Sequence, residues 1–241
     1  MKRARADPVA IPAAIITSLA RMQDGLNCFI DKDWRSKRCC RDWSLACTIE
    51  ATELMDSYPW KWWKNTKAQP DFNNVKIELV DILHFALSGT MQKAGLPADD
   101  SVLPADVSTT IHAPLSDTNN AVTTFLNVIY LAKHNRFETI TEMVIASADD
   151  LSFNLVGYYV AKHTLNYIRQ LGGYKDGTYA KVQQGKEDNE LLHDCIAEVT
   201  TEAVLNTESY TAAWDKIMVL VYDAFKVGAE ERRTTASWVQ K

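Results

Sequence analysis

Glu50 and Glu53 stand three residues apart in the stretch 42–64, and Glu78 and Asp81 stand three apart in the stretch 74–89. On a helix that spacing sends both members of a pair from one side, so two neighbouring segments aim four acids. Ala46, Cys47 and Leu54 share the helical strip of Glu50, and the second segment is apolar nearly all round, from Val75 and Ile77 through Leu79, Val80, Ile82, Leu83, Phe85, Ala86 and Leu87. Such a helix is expected to be buried. Carboxylates carried inside must be neutralised, paired or bound to cations, because an isolated buried charge is costly. The nearby bases Lys61, Lys64, Lys67 and Lys76 read as exposed, so ion pairing is not expected. Protonation relieves one acid of a crowded set, hardly four. A hard divalent cation is the better answer, and an all-oxygen donor set favours Mg²⁺ or Mn²⁺ over Zn²⁺. The plainer alternative makes these acids the wet faces of two ordinary helices. Their place on apolar arcs, in two copies about 25 residues apart, weighs against it.

The elements that must position these groups read as helices. After Pro12, a good first helical residue, Ile15, Ile16, Leu19, Met22 and Leu26 recur at three and four, so an amphipathic helix is expected to about Ile30. Gln23 and Asn27 lie one turn apart beside its apolar stripe. Residues 31–41, with Trp34, read as a connector, and Pro59 stops the first acidic helix at Tyr58. Trp60, Trp62 and Trp63 then fall within four positions, either as an apolar plug under a loop or as a binding wall. Around 94–120 the text turns irregular, with Pro97, Pro104 and Pro114. Helical patterns resume at Ala121, break near Asn135, and continue through 151–171 to a stop at Gly172-Gly173. Lys162, Asn166 and Arg169, spaced four and three, share a face there; a guanidinium, an ammonium and an amide suit a phosphate chain, although such a trio alone is more often a solvated edge. A Gly-rich loop carries Tyr174 and Lys181, and two more helices are expected over about 189–205 and 210–227.

Glu50-xx-Glu53 followed by Glu78-xx-Asp81 resembles the metal signature of the all-α NTP pyrophosphatases. The text TELMDSYPWKWWK and ELVDILHF resembles more closely the dimeric dUTPases, from Met1 to roughly Val227. That resemblance implies an all-α, multi-helix bundle with a metal and nucleotide site in the core between helices. It implies hydrolysis of dUTP, and of dUDP, by water attack at the α-phosphorus, with two or three Mg²⁺ ions (or Mn²⁺) held by Glu50, Glu53, Glu78 and Asp81. Glu50 would take the proton from the attacking water. In the family's pattern Gln23, Asn27 and Asn189 belong to the base pocket, Trp60 and Trp63 to a wall of the nucleoside site, and Lys162, Asn166, Arg169, Tyr174 and Lys181 to the triphosphate site. Phe85 would fill the space of a 2′-hydroxyl, with His84 or Asp81 at the 3′-hydroxyl. A homodimer with a shared active site is implied as well. Two other chemistries compete: a broader-specificity all-α NTP pyrophosphohydrolase, which the acid quartet alone allows, and a di-iron carboxylate site, for which Asp81-xx-His84 supplies only half of the needed pair. A helical interaction module without catalysis is a third class.

Length and composition agree with one all-α domain over 1–241, with a small helical lobe at 121–150 as the variant. The net charge of −5 argues against a nucleic-acid coat. There is no apolar run of 18 residues and no signal-peptide core, so an intracellular chain, cytoplasmic or nuclear, without membrane contact is expected. Five cysteines without a CxxC pair suggest neither a disulfide framework nor a zinc site.

Overall fold

The computed structural model describes residues 11–95, 117–196 and 210–232, together with Leu115, Val204 and Asn206. Among the described residues the main helices are α1 (Ala13–Ile30), α2 (Trp34–Lys37), α3 (Cys40–Asp56), α4 (Phe72–Ala94), α5 (Thr118–Lys133), α6 (Phe137–Asp150), α7 (Leu155–Leu171), α8 (Asp188–Ile196) and α9 (Tyr210–Ala224). The fold is all-α, and the strands among the described residues form one small hairpin, β1 (Val182–Gln183) and β2 (Lys186–Glu187). The irregular stretch expected at 94–120 lies mostly outside the described residues, as does most of the expected 189–205 helix beyond Ile196. No helix among the described residues is long and apolar enough to cross a membrane.

Short polar residues set where the helices begin. The Asp71 carboxylate accepts from the Asn73 and Asn74 amides, both at 3.1 Å, and opens α4; Asn154 accepts from the Gly157 amide at 2.9 Å and opens α7. At α3 the Cys39 amide donates to the Asp42 carboxylate at 2.9 Å. Each satisfies an amide that the first turn leaves without a partner. Gly95, at φ 67, ends α4 in the left-handed region.

Helix α4 is the axis, with α1, α3, α6 and α7 packed around it. It buries Val75, Ile77, Leu79, Val80, Ile82, Leu83, Ala86, Leu87 and Met91, so its near-continuous apolar run has the expected cause. Helices α5 and α6 pack against α3 and α4, and Ala121, Val128, Phe137, Ile140 and Val144 join the same core. Gly89 lets α6 close in, since a Cβ there would stand 2.5 Å from the Phe137 ring.

One reading of the chain is corrected and one stretch proves more ordered than its sequence announced. The connector 31–41 contains the helical turn α2, and it forms because Trp34 finds a buried place at 2 % exposure, its indole N–H donating to Asp24 at 3.2 Å. The Gly-rich loop after Tyr174 leads into a hairpin that pairs Val182 with Glu187 and Gln183 with Lys186. Its turn residues Gln184 and Gly185 sit at φ 54 and 81, the geometry of a tight two-residue connection. All five cysteines are free.

Candidate active site

A cavity of about 400 Å³ opens between α1, α3, α4, α7 and the start of α8. Gln23, Asn27, Glu50, Glu53, Glu78, Asp81, His84, Phe85, Lys162, Asn166, Arg169, Tyr174, Lys181 and Asn189 all line it. Trp60 and Trp63 do not: they stand exposed beyond the end of α3, ring against ring at 5.6 Å, with Trp62 still more open. Within one chain, the sequence-predicted wall therefore lies outside this cavity.

Three of the four acids meet. Glu50, Glu78 and Asp81 each bring a carboxylate oxygen to within 4.8 Å of the other two. Glu53, one turn beyond Glu50, is exposed and lines the rim. Glu78 is only 5 % exposed. Burial raises the carboxyl pKa of both Glu50 and Glu78, and the facing acids, Asp81 foremost, push them the same way. Three oxygen-only donors so held would each be relieved by a hard divalent cation, so the donor set fits Mg²⁺ or Mn²⁺.

The expectation that no base would pair with these acids is corrected. Lys162, on α7 and only 1 % exposed, reaches across to Asp81 with Nζ–Oδ2 at 2.8 Å. Its ammonium also donates to Asn189 Oδ1 at 2.8 Å. A lysine 81 residues further along the chain cannot be matched to Asp81 by local spacing. Its charge pulls the Glu78 pKa down but does not outweigh burial and Asp81.

Arg169 is equally committed. It donates through Nε and Nη2 to the two Asp188 oxygens at 2.9 and 2.7 Å, through Nη2 to Asn189 at 3.1 Å, and through Nη1 to Asn166 at 3.4 Å. Asp188 is 2 % exposed; burial pushes its carboxyl up, yet the Arg169 bonds and charge hold it below the ordinary carboxylate value. Tyr179 adds an O–H bond at 3.1 Å. Sequence reading passed over Asp188, although it stands beside Asn189.

The deep end of the cavity is amide-lined. Gln23 Nε2 donates to Asn27 Oδ1 at 3.1 Å, Asn27 Nδ2 to Ser88 Oγ at 3.0 Å, and Ser88 Oγ to the His84 carbonyl at 3.0 Å. Both amides are buried, not edge groups. His84 Nδ1 lies 2.8 Å from the Val80 carbonyl, which can only accept, so Nδ1 carries the hydrogen. Nε2 is left as a bare acceptor, buried and without a protein partner. Burial lowers the His84 pKa to about 4, and the ring stays neutral at pH 7. Phe85 stacks on Trp43 at 6.4 Å and Trp43 meets Trp34 edge-on at 5.6 Å, giving an aromatic wall. Trp43 and Trp34 also line the cavity and were not singled out; Trp43, seven residues before Glu50, shares its helix face, which is the signal that would have found it.

Converging carboxylates, fixed amides, an aromatic wall and the basic side chains Arg38, Lys162, Arg169 and Lys181 at one cavity suit a nucleotide with a phosphate chain. A family model described as dUTPase matches residues 15–174, about two thirds of the chain and all the cavity elements from α1 to α7. The chain belongs to the all-α dUTPase family. It is accordingly a dUTP diphosphatase, an enzyme that hydrolyses dUTP. A search of curated proteins found no match to the chain.

Proposed function

We propose that the cavity hydrolyses dUTP to dUMP and pyrophosphate, and dUDP to dUMP and phosphate, with Mg²⁺ as its ion. The observation that carries this reading is that Glu50, Glu78 and Asp81 converge in the same cavity as the buried Gln23 and Asn27 amides. Glu50, Glu78 and Asp81, joined by Glu53 from the rim, would hold the ion, with Mn²⁺ as a substitute. When bound, such an ion neutralises phosphate charge and lowers the pKa of water.

The chain's own residues do the rest. Glu50 accepts a proton from the water that attacks the α-phosphorus, and the pyrophosphate leaves with the electron pair of the broken P–O bond. Lys162, Asn166, Arg169, Tyr174 and Lys181 face the phosphates. Gln23, Asn27 and Asn189 present donors and acceptors to the uracil edge; cytosine reverses that edge and would leave a buried amide unpaired. His84 Nε2, an acceptor without a protein partner, takes the 3′-hydroxyl. Phe85, stacked on Trp43, occupies the space a 2′-hydroxyl needs.

A homodimer with a shared active site follows in the same reading. Leu45 and Ile49 on α3, and Leu126 and Tyr130 on the adjoining α5, are exposed one turn apart on each helix, an apolar face that a second copy would cover. Trp60 and Trp63, outside the chain's own cavity, would then serve the nucleoside wall from the dimer.

Pyrophosphate release measured across dUTP, the four common dNTPs and the NTPs, with Mg²⁺ and with EDTA, tests the proposal. Hydrolysis confined to dUTP and dependent on Mg²⁺ is expected. Comparable rates on dCTP and dUTP would overturn the uracil reading, and full activity in EDTA would overturn the ion.

A further inference from the structure

The two inner cations of the cavity, buried Lys162 and half-buried Arg169, are already spent on the protein. Lys162 is held by Asp81 and Asn189, and the two edges of the Arg169 fork go to Asp188 and Asn189. A phosphate chain therefore meets few free positive charges inside, and the cations able to turn toward it must come from the rim.

The run Arg35-Ser-Lys-Arg38 shows which these are. Arg35 pairs with Asp24 at 2.6 Å, and Lys37 with Asp31 at 2.9 Å. Asp31 is the acid that lines the cavity on this side, and Lys37 neutralises it. Arg38 caps the end of α2 in extended backbone, its amide donating to the Trp34 carbonyl at 2.9 Å; its side chain is exposed, lines the cavity and makes no hydrogen bond or ion pair with any described residue, though its charge is felt by Asp42. Lys181, from the hairpin side, is likewise exposed on the lining.

We infer that Arg38 is a further substrate-binding residue, a guanidinium on the α2–α3 connection that takes the nucleotide's phosphate chain at the mouth of the cavity. The inference rests on the dUTP reading of this cavity. A guanidinium offers paired N–H groups that match phosphate oxygens, and Arg38 gives up no protein partner to use them. Its exposure makes the contact salt-sensitive and its removal harmless to folding.

The test compares Arg38→Ala with Arg41→Ala, which removes the same charge three residues away from a side chain that does not line the cavity. The readouts are KM and kcat for dUTP with Mg²⁺ at low and moderate salt, and competitive inhibition by deoxyuridine, which has no phosphate. Expected is a rise in KM for dUTP of roughly five- to tenfold in Arg38→Ala at low salt, shrinking as salt is added, with kcat within about twofold and deoxyuridine inhibition unchanged. An unchanged KM overturns the inference. So does an equal rise in Arg41→Ala, which would mean a diffuse field, or an equal loss of deoxyuridine affinity, which would place Arg38 at the nucleoside. Wild-type protein inactive on dUTP would sink the underlying reading and this inference with it; wild-type protein active with Arg38→Ala unaltered sinks the inference alone.

Discussion

Replacing Glu78 by Gln should make the metal-free protein more stable while abolishing its hydrolysis of dUTP. Glu78 has an oxygen within 4.8 Å of one on Glu50 and one on Asp81. At an effective dielectric of about 20, two unit charges at that separation repel by about 3.5 kcal/mol. Lys162 offsets part of this, and protonation caps the rest, since the Glu50 and Glu78 carboxyls are both raised. A net relief of about 2 kcal/mol is then reasonable, which for a chain of this length raises Tm by roughly 4–8 °C. The sign with pH follows from the raised values. The cost to the folded state is absent below the ordinary carboxylate range and grows as pH climbs toward the folded-state values, because only there does the unfolded chain release protons that the folded one keeps. The advantage of the variant in EDTA should therefore be largest near pH 8 and vanish near pH 4.5. Mg²⁺ at about 100 times its Kd should stabilise the wild type by about 2.7 kcal/mol and the variant hardly at all. Thermal melts in EDTA and in Mg²⁺ across pH decide it. A variant that melts no higher than wild type in EDTA, or gains as much from Mg²⁺, would refute the reasoning that these acids exist in tension until an ion joins them.

Three other perturbations have defined outcomes. Asp188→Ala removes the buried carboxylate that pairs with the half-buried Arg169 and should cost about 3 kcal/mol in urea unfolding, and a loss below about 1 kcal/mol would mean the pair is dispensable. His163 is 1 % exposed with both ring nitrogens unpartnered, stacked on Tyr159 and edge-on to Tyr167, and burial holds its pKa well below the ordinary value. Protonation thus favours the unfolded chain, stability falls as pH drops below about 6.5, and His163→Phe should flatten that acid limb; parallel Tm profiles would count against it. Gly89→Ala gains about 1 kcal/mol of helix propensity but drives a methyl into the Phe137 ring, which is fully buried, so a net loss of about 1–2 kcal/mol is expected by chemical denaturation, with added stability as the contrary result.

The sequence could speak of what lies within a few turns, and it did so where periodicity was strong. Glu50 with Glu53 and Glu78 with Asp81 could be put on helix faces, and the apolar run of α4 foretold that its acids would be drawn inward. The same run concealed the balancing charge, because Lys162 comes from α7 and its pairing with Asp81 is made by the packing of α7 on α4. Gln23 and Asn27 show the complementary limit. An amide beside an apolar stripe is ambiguous until Ser88 and Tyr159 arrive from other helices to fix it. Glu53 separates two meanings of one pattern: it keeps the i, i+3 spacing to Glu50 yet lies on the wet side of the strip, at the rim and not among the converging three. What stays local in the chain can be read from it, whereas the order of Asp188, Arg169, Asn189, Lys162 and Asp81 along one line of hydrogen bonds joins three separate helices and exists only once α4, α7 and α8 have met.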